Sequence, residues 1–224
     1  MSGGGPNYEP HEGAEVDLTA LVLEPRQQRI EEVVAGRTRS FTVVLDRLED
    51  AFNMAAVLRT CEGMGVQDVH VVRNPETSFS PNRRVTQGCD RWLDIHRYDD
   101  FASCARTLKA AGFRVLVSHA GPAAQSLFDL EFSARTALVF GNERFGVSDE
   151  VLSACDGTFW IPMRGFTQSF NVSAAVSASV TAAMGWRARH GIPGGDLSEV
   201  ERATLRETFL KRSVKQHRKL FPEP

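Results

Sequence analysis

The stretch Leu138–Glu150 reads LVFGNERFGVSDE and places three different kinds of sequence side by side. The apolar run Ala137–Phe140 predicts a short buried strand. Gly141 and Gly146 then bracket a polar turn. The segment Ser148–Ala154 predicts a short helix, because serine is a favoured cap and acidic residues stabilise the first turn. A strand, a tight turn and a capped helix in this order are typical of an α/β protein.

The same alternation extends along the chain in both directions from this stretch. The predicted strands cover residues 41–45, 69–72, 92–96, 113–117, 137–140 and 159–161. The predicted helices cover residues 18–35, 53–64, 99–111, 148–154, 171–189 and 197–220, the third being capped by Asp99 or Asp100. Such alternation predicts a mostly parallel sheet with helices on both faces. Ligands bind beyond the carboxyl ends of such strands, so the turns after Leu45, Phe140 and Ile161 are candidate sites.

The composition is that of an ordinary soluble globular protein. The 224 residues carry a formal net charge of −2, so any contact with RNA must come from local basic patches rather than from the whole-chain charge. No apolar run approaches the roughly 18 residues that a membrane-spanning helix needs. The four cysteines lack zinc-ligand spacing, which predicts reduced thiols, no metal site and a cytoplasmic location.

Two common nucleotide-binding patterns fail on single residues. The segment GNERFGVS nearly matches a phosphate-binding loop, but Val147 stands where that loop requires lysine. Gly63 and Gly65 begin a G-x-G pattern after a predicted helix, and Asp68 occupies the place of the third glycine. The sequence therefore argues against a nucleotide triphosphatase and against a dinucleotide-binding fold.

Three segments carry candidate functional residues. They are Asn53–Thr60 (NMAAVLRT), Leu138–Glu150 and Ile161–Ser173 (IPMRGFTQSFNVS). Each has an ordinary structural alternative: a solvated surface arginine, a loop between a strand and a helix, and a helix cap. Together and in this order they resemble the motifs of the SpoU/TrmH family of tRNA and rRNA 2′-O-methyltransferases. The similarity covers roughly residues 28–189, and the tRNA guanosine-18 enzymes match best.

The resemblance implies an α/β fold, a parallel-sheet SPOUT-type methyltransferase domain whose C-terminal portion forms a trefoil knot. General topology rules argue against knots, so only the resemblance supports this expectation. We expect a disordered leader over residues 1–16 and an N-terminal helical extension over 17–38. The knotted domain would cover 39–192, and a basic C-terminal helical extension would cover 193–224. The family is typically dimeric, so a homodimer is expected.

The resemblance also implies a site and a cofactor. The residues matched to catalysis are Arg59, Asn53, Glu143 and Asn171. The residues matched to binding of S-adenosyl-L-methionine are Ser118, Gly141, Ile161, Met163, Phe170 and Val172. Two departures from the family pattern leave these residues in place: Ala51-Phe52 replaces a frequent Pro-His, and the third motif reads GFTQSFN instead of GMVQSLN. Because guanidinium is effectively always protonated, we expect Arg59 to stabilise negative charge rather than accept a proton.

The expected partner is tRNA, bound through local basic residues. The candidates are Arg83, Arg84, Lys211, Arg212, Lys215, Arg218 and Lys219. A solvated charged face is the structural alternative for these residues. Two functional alternatives also stay open: an rRNA 2′-O-methyltransferase of the same family, and a catalytically inactive RNA-binding relative. Assays on tRNA and rRNA would distinguish an rRNA enzyme from a tRNA enzyme. Cofactor binding without turnover on either RNA would support an inactive relative.

Overall fold

Strands and helices alternate along the chain in a computed structural model that describes residues 17–74 and 86–214. The strands are β1 (Phe41–Asp46), β2 (Asp68–Val72), β3 (Asp94–Tyr98), β4 (Arg114–Ser118), β5 (Gln125–Ser126), β6 (Thr136–Phe140) and β7 (Gly157–Trp160). The helices are α1 (Glu24–Ala35), α2 (Ala51–Gly63), α3 (Phe101–Ala110), α4 (Asp149–Ala154), α5 (Val172–Arg189) and α6 (Glu199–Ser213). The leader expected over residues 1–16 lies outside the described residues.

The described strands form one sheet in the order β3-β2-β1-β6-β4-β7-β5, and every neighbouring pair is parallel. The predicted parallel α/β architecture is therefore confirmed. Strand β4 lies between β6 and β7, with Val117 opposite Val139 and Ser118 opposite Phe159. Because parallel strands end at the same edge, the turns after β4, β6 and β7 emerge side by side.

Helices cover both faces of the sheet. Apolar residues of α2 and α5, including Val57 and Val180, pack on one face. Residues of α3 and α4, including Phe101 and Val151, pack on the other. Strands β1, β2 and β6 are buried along their whole length, which explains their continuous runs of β-branched and apolar residues. None of the helices in the described ranges is both long and apolar enough to span a membrane.

Side-chain caps set where several helices begin. Asp100, Ser148 and Asn171 cap α3, α4 and α5, as the sequence predicts. Helix α2 begins at Ala51 rather than at Asn53, because Asp50 accepts a hydrogen bond from the Phe52 amide and caps the helix earlier. The strand predicted over 92–96 is shifted: residues Cys89–Trp92 form a 3₁₀ turn, and β3 follows it.

The two terminal helices pack against each other. Ile30 and Val34 of α1 form an apolar cluster with Leu205, Phe209 and Leu210 of α6. The chain therefore unites its N- and C-terminal extensions, which the sequence suggests as separate units. The single helix expected over residues 18–35 is instead a 3₁₀ turn followed by α1, which starts next to a proline in its first turn. The helix expected over 197–220 ends at Ser213, with extended backbone at Val214.

A junction of backbone and charge holds this terminal unit on the sheet. Asp196 accepts hydrogen bonds from the side chains of Thr38 and Ser40 and from the backbone amide of Arg39 (2.8 Å). The buried Arg187 guanidinium also pairs with Asp196 at 2.9 Å. The free-energy cost of burying a charged group is largely offset when the group is paired and its hydrogen bonds are satisfied. This node fixes the segment before α6 to the start of β1.

His70 is a buried imidazole in the β2–β3 part of the sheet. Its Nδ1 lies 3.0 Å from the Tyr98 hydroxyl, and its ring stacks on His96 with centroids 4.7 Å apart. Burial lowers the pKa of His70 to about 4; His96 adds to the lowering and Asp68 opposes it. His70 is therefore neutral in the folded protein at neutral pH.

We expect the free energy of unfolding to decrease as the pH falls from about 6.5 to about 4, the ordinary and folded pKa values of His70. Within this window the unfolded chain binds a proton that the folded protein excludes, so acid favours unfolding. The separation of the two pKa values corresponds to roughly 3 kcal/mol. Urea unfolding of the wild type and His70→Gln over this range tests the assignment. The variant should lose most of the slope, and an unchanged slope would contradict it.

Candidate active site at the carboxyl edge of the sheet

A tight turn after β6 places the acidic residue of the second motif. Asn142 and Gly146 exchange backbone hydrogen bonds of 2.9 Å, and Gly146 has a φ of 68°, which favours glycine. The Asn142 side chain fastens this turn to the β1–α2 loop by donating to the carbonyl of Arg47 (2.9 Å) and to Glu49 Oε1 (3.2 Å). Its Oδ1 accepts from the amide of Arg144 at 2.8 Å. The turn is thus rigidly attached to the loop that precedes α2.

Three side chains from three different motifs form one hydrogen-bonded line, here called the Asn53 line. Asn171 Nδ2 donates to Asn53 Oδ1 at 3.0 Å, and Asn53 Nδ2 donates to Glu143 Oε1 at 3.0 Å. Asn53 is 9% exposed, so its side-chain nitrogen and oxygen depend on these partners for their hydrogen bonds. The structure therefore brings together Asn53, Glu143 and Asn171, three of the four residues that the resemblance matches to catalysis.

Glu143 is held as a carboxylate at the N-terminus of α2. It accepts backbone hydrogen bonds from Glu49 (3.1 Å) and Asp50 (3.3 Å), where the helix dipole favours negative charge. Partial burial alone would raise its pKa, but the hydrogen bonds from Asn53 and the backbone outweigh burial and hold the pKa of Glu143 below its usual range. A carboxylate of this kind is suited to orienting Asn53 rather than to donating a proton.

Arg59 lies on α2, six residues after Asn53, and its side chain is exposed. The helix buries Met54, Val57 and Leu58, so Arg59 faces away from that apolar stripe as predicted. Its guanidinium makes no hydrogen bond or ion pair with any residue in the described ranges. Six residues advance an α-helix by about 9 Å and turn it by about 240°, so Arg59 stands apart from the Asn53 line.

The residues matched to cofactor binding all lie at the carboxyl edge of the sheet. Ser118 ends β4, Gly141 follows β6, and Ile161 and Met163 follow β7. Phe170 and Val172 stand at the start of α5. Ile161 and Val172 pack partly against the main core, whereas Phe170 remains 46% exposed. The edge therefore presents backbone groups beside apolar side chains, a combination suited to a nucleoside.

The structure describes two residues of the predicted RNA-binding set, Arg212 and Lys211, and both contact other parts of the protein. The Arg212 side chain is 17% exposed; it donates to the carbonyl of Arg91 (2.9 Å) and lies 3.7 Å from Asp94, so it serves to attach α6 to the sheet. Lys211 pairs with Glu207 at 2.6 Å. Helix α6 also carries Glu199 and Glu201, so its described part is mixed in charge rather than basic. Arg83, Arg84, Lys215, Arg218 and Lys219 lie outside the described residues.

Two other features were not predicted from the sequence. Asn142 is a positioning residue that sequence reasoning missed, although asparagine in a glycine-bracketed turn is a known signal for side-chain bonds to the backbone. A cavity of about 140 Å³ between α1 and α6 is lined by Trp92 and Phe209, together with Arg26 and Glu62. It depends on packing between the chain termini, which no local pattern predicts.

Comparisons with known proteins agree with this geometry. The profile of the SpoU rRNA Methylase family matches residues 40–180. The tRNA (guanosine(18)-2′-O)-methyltransferase of Borreliella burgdorferi is 33% identical over 200 residues, covering 89% of this chain and 91% of the relative. A 23S rRNA (guanosine-2′-O-)-methyltransferase of Xanthomonas campestris is 28% identical over 175 residues, covering 78% of this chain and 70% of the relative.

Among solved structures, the TrmH/SpoU tRNA modifying enzyme of Aquifex aeolicus superimposes with a TM-score of 0.80 at 29% identity. The match covers 88% of this chain and all of that chain. The family match includes β1, the turn after β6 and the first half of α5, and therefore all three members of the hydrogen-bonded line. The chain belongs to the SpoU methylase family.

Proposed function

We propose that the protein is an S-adenosylmethionine-dependent tRNA ribose 2′-O-methyltransferase that modifies guanosine 18. The line from Asn171 through Asn53 to Glu143 is the observation that carries the proposal. It joins all three family motifs at the edge of the sheet where ligands of parallel α/β proteins bind. The relatives named for this activity match the chain along nearly their whole length.

The residues at this edge fit the proposed cofactor. Ile161, Met163, Phe170 and Val172 provide apolar surface for an adenine ring, and the backbone at Gly141 and Ile161 provides polar groups for the nucleoside. When bound, S-adenosylmethionine supplies a methyl group already activated by the positive charge on sulfur. The chain's own residues must then align the reactants and stabilise the charge that develops on the ribose oxygen.

Each residue of the site has a distinct part in the proposed reaction. With S-adenosylmethionine bound, its methyl group would pass to the ribose 2′-oxygen and S-adenosylhomocysteine would leave, while the hydroxyl proton would go to solvent or an RNA phosphate. Arg59 stabilises the developing oxyanion and binds phosphate, because its guanidinium is permanently charged and its donors have no partner among the described residues. Glu143 fixes the amide of Asn53, and Asn53 in turn orients Asn171, so these three maintain the geometry of the edge.

The tRNA substrate is favoured over rRNA by the extent of similarity. The match covers 91% of a tRNA-modifying relative but 70% of an rRNA-modifying one. Incubation with methyl-labelled S-adenosylmethionine and unmodified tRNA tests the choice, followed by mapping of the ribose methyl. We expect methylation at guanosine 18 and none when that position is adenosine. Methylation of rRNA alone, or cofactor binding without turnover on either RNA, would contradict the proposal.

We further propose a homodimer with a trefoil knot in the C-terminal part of the domain, acting in the cytoplasm. Helix α5 supports a close helix–helix contact, since Val176 and Val180 face the core while Ala174, Ala178 and Thr181 stay exposed. Small residues at this spacing allow another helix to approach. Phe145 and Phe166 are also strongly exposed near the same edge, and a second subunit would remove apolar surface from water.

We predict that deleting the chain after Val214 weakens tRNA binding. The truncation removes Lys215, Arg218 and Lys219, yet it keeps the contacts through which Arg212 and Phe209 hold α6. Loss of up to three phosphate contacts should flatten the dependence of log K on log salt by about 2 to 3. Filter binding over a range of salt concentrations measures this slope. An unchanged slope would show that the residues after Val214 make no contact with RNA phosphates.

A further inference from the structure

Arg47 adopts a left-handed backbone conformation at the end of β1. Its φ is 54°, and the described ranges contain one other non-glycine residue with positive φ, Gln87. Glycine or asparagine adopts this conformation at lower cost than arginine. Strain of this kind is often kept at functional sites, so the reason for an arginine at this position has to be sought in its side chain.

The backbone contacts at this turn do not explain the side chain. The Arg47 amide donates to the carbonyl of Val72 (3.2 Å), and the Arg47 carbonyl accepts from Asn142 Nδ2 (2.9 Å) and Asn74 Nδ2 (3.5 Å). The bond from Asn142 holds the β1–α2 loop against the turn that carries Glu143, and the other two hold it against the end of β2. All of them involve the main chain of Arg47, so asparagine in its place would keep every one.

The Arg47 guanidinium has no direct partner in the described part of the chain. It forms no hydrogen bond or ion pair with any of the residues that the structure describes, and the side chain is partly exposed. Asp46 and Asp100 feel its charge, but Asp46 is buried and Asp100 is bonded to Ser103.

The carboxylates of the adjoining loop have other partners. Glu49 accepts a hydrogen bond from Asn142, and Asp50 caps α2 by accepting from Phe52. Glu143 accepts from Asn53 and from two backbone amides. A permanent positive charge is therefore attached to the loop beside the candidate site. The acids Glu49, Asp50 and Glu143 have other partners, whereas Asp46 is buried with one carboxylate oxygen unbonded among the described residues.

We propose that Arg47 binds a phosphate of the substrate RNA next to the ribose that is methylated. The inference rests on the proposed function, because it requires an RNA strand at this edge. A guanidinium matches phosphate geometry with two parallel hydrogen bonds. The main chain of Arg47 is tied to Asn142, the neighbour of Glu143, so a phosphate held by its side chain has a fixed position relative to the Asn53 line.

Arg47→Asn separates this role from a structural one. We expect the melting temperature to stay the same or rise, because asparagine tolerates the left-handed conformation. The dissociation constant for tRNA should increase about tenfold, and the salt slope should decrease by about 1. Affinity for S-adenosylmethionine should not change. Arg135→Gln, which removes an exposed guanidinium at the opposite edge of the sheet, should leave the salt slope of tRNA binding unaltered.

The possible outcomes distinguish this inference from the proposed function. If wild-type protein neither binds nor methylates tRNA, the proposed function fails before any variant is compared. If wild-type protein methylates tRNA but Arg47→Asn keeps its affinity and salt slope, the role of Arg47 alone is wrong. A marked fall in melting temperature would also overturn it, since the side chain would then be structural.

Discussion

Replacing Arg59 with alanine should lower the turnover of methyl transfer about a hundredfold or more and leave the affinity for S-adenosylmethionine unchanged. Removing one donor that stabilises a developing oxyanion typically has an effect of this size. The cofactor should bind normally because Arg59 lies outside the three turns at the sheet edge, and its guanidinium makes no hydrogen bond or ion pair with any of their described residues. Single-turnover kinetics with saturating tRNA separates the chemical step from binding.

Two further variants sharpen this measurement. Arg59→Lys keeps the charge but loses the planar fork, so we expect turnover between that of wild type and alanine. Arg106→Ala removes an exposed guanidinium from α3 and serves as a matched control for the loss of one surface charge. Near-normal turnover of Arg59→Ala would show that this guanidinium takes no part in the reaction.

Gly141→Ala should abolish measurable cofactor binding and with it the activity. A Cβ at this position would overlap the carbonyl group of Gly146, lying 2.6 Å from its carbon, and would also overlap the Val147 side chain. Neither the backbone nor the branched side chain can give way locally, so the whole turn must move. That movement would break the bonds through which Asn142 positions Glu143, with an expected loss of about a hundredfold or more in affinity.

Gly194→Ala is the control away from the three turns. A Cβ there would meet no atom within 4 Å. Equilibrium titration with S-adenosylmethionine should therefore give wild-type affinity for Gly194→Ala and none detectable for Gly141→Ala. If Gly141→Ala bound the cofactor normally, the turn after β6 would not belong to the binding site.

Local chemistry made much of the fold predictable. The runs in β1 and β6 indicate buried strands because parallel strands covered on both faces need apolar residues throughout. Ser148 and Asn171 mark helix starts because their side chains satisfy free backbone amides. Arg59 lies opposite an apolar stripe, so its exposure also follows from helical spacing.

Long-range packing made the rest unpredictable from one sequence. The insertion of β6 between β1 and β4 joins segments far apart in the chain. Asp196 finds its partners at Thr38 and Ser40, and Gly195 is required because a Cβ would overlap the carbonyl of Ala35. No periodicity or spacing encodes such contacts. The contacts of Arg212 with the Arg91 carbonyl and with Asp94 were not predictable for the same reason.

The candidate site was also only partly predictable from the sequence. Family motifs identify Asn53, Glu143 and Asn171, but only the structure shows that they form one hydrogen-bonded line. The lowered pKa of Glu143 also depends on amides from a loop distant in sequence. Its part as an anchor for Asn53 therefore follows from the fold.

Hydrogen exchange with and without S-adenosylhomocysteine, the expected product, tests the location of the cofactor most directly. Slower exchange should appear in three segments, residues 118–121, 140–147 and 160–172, which lie on neighbouring strands at one edge of the sheet. Protection confined to another region, such as the cavity between α1 and α6 lined by Trp92 and Phe209, would contradict the assignment of the active site.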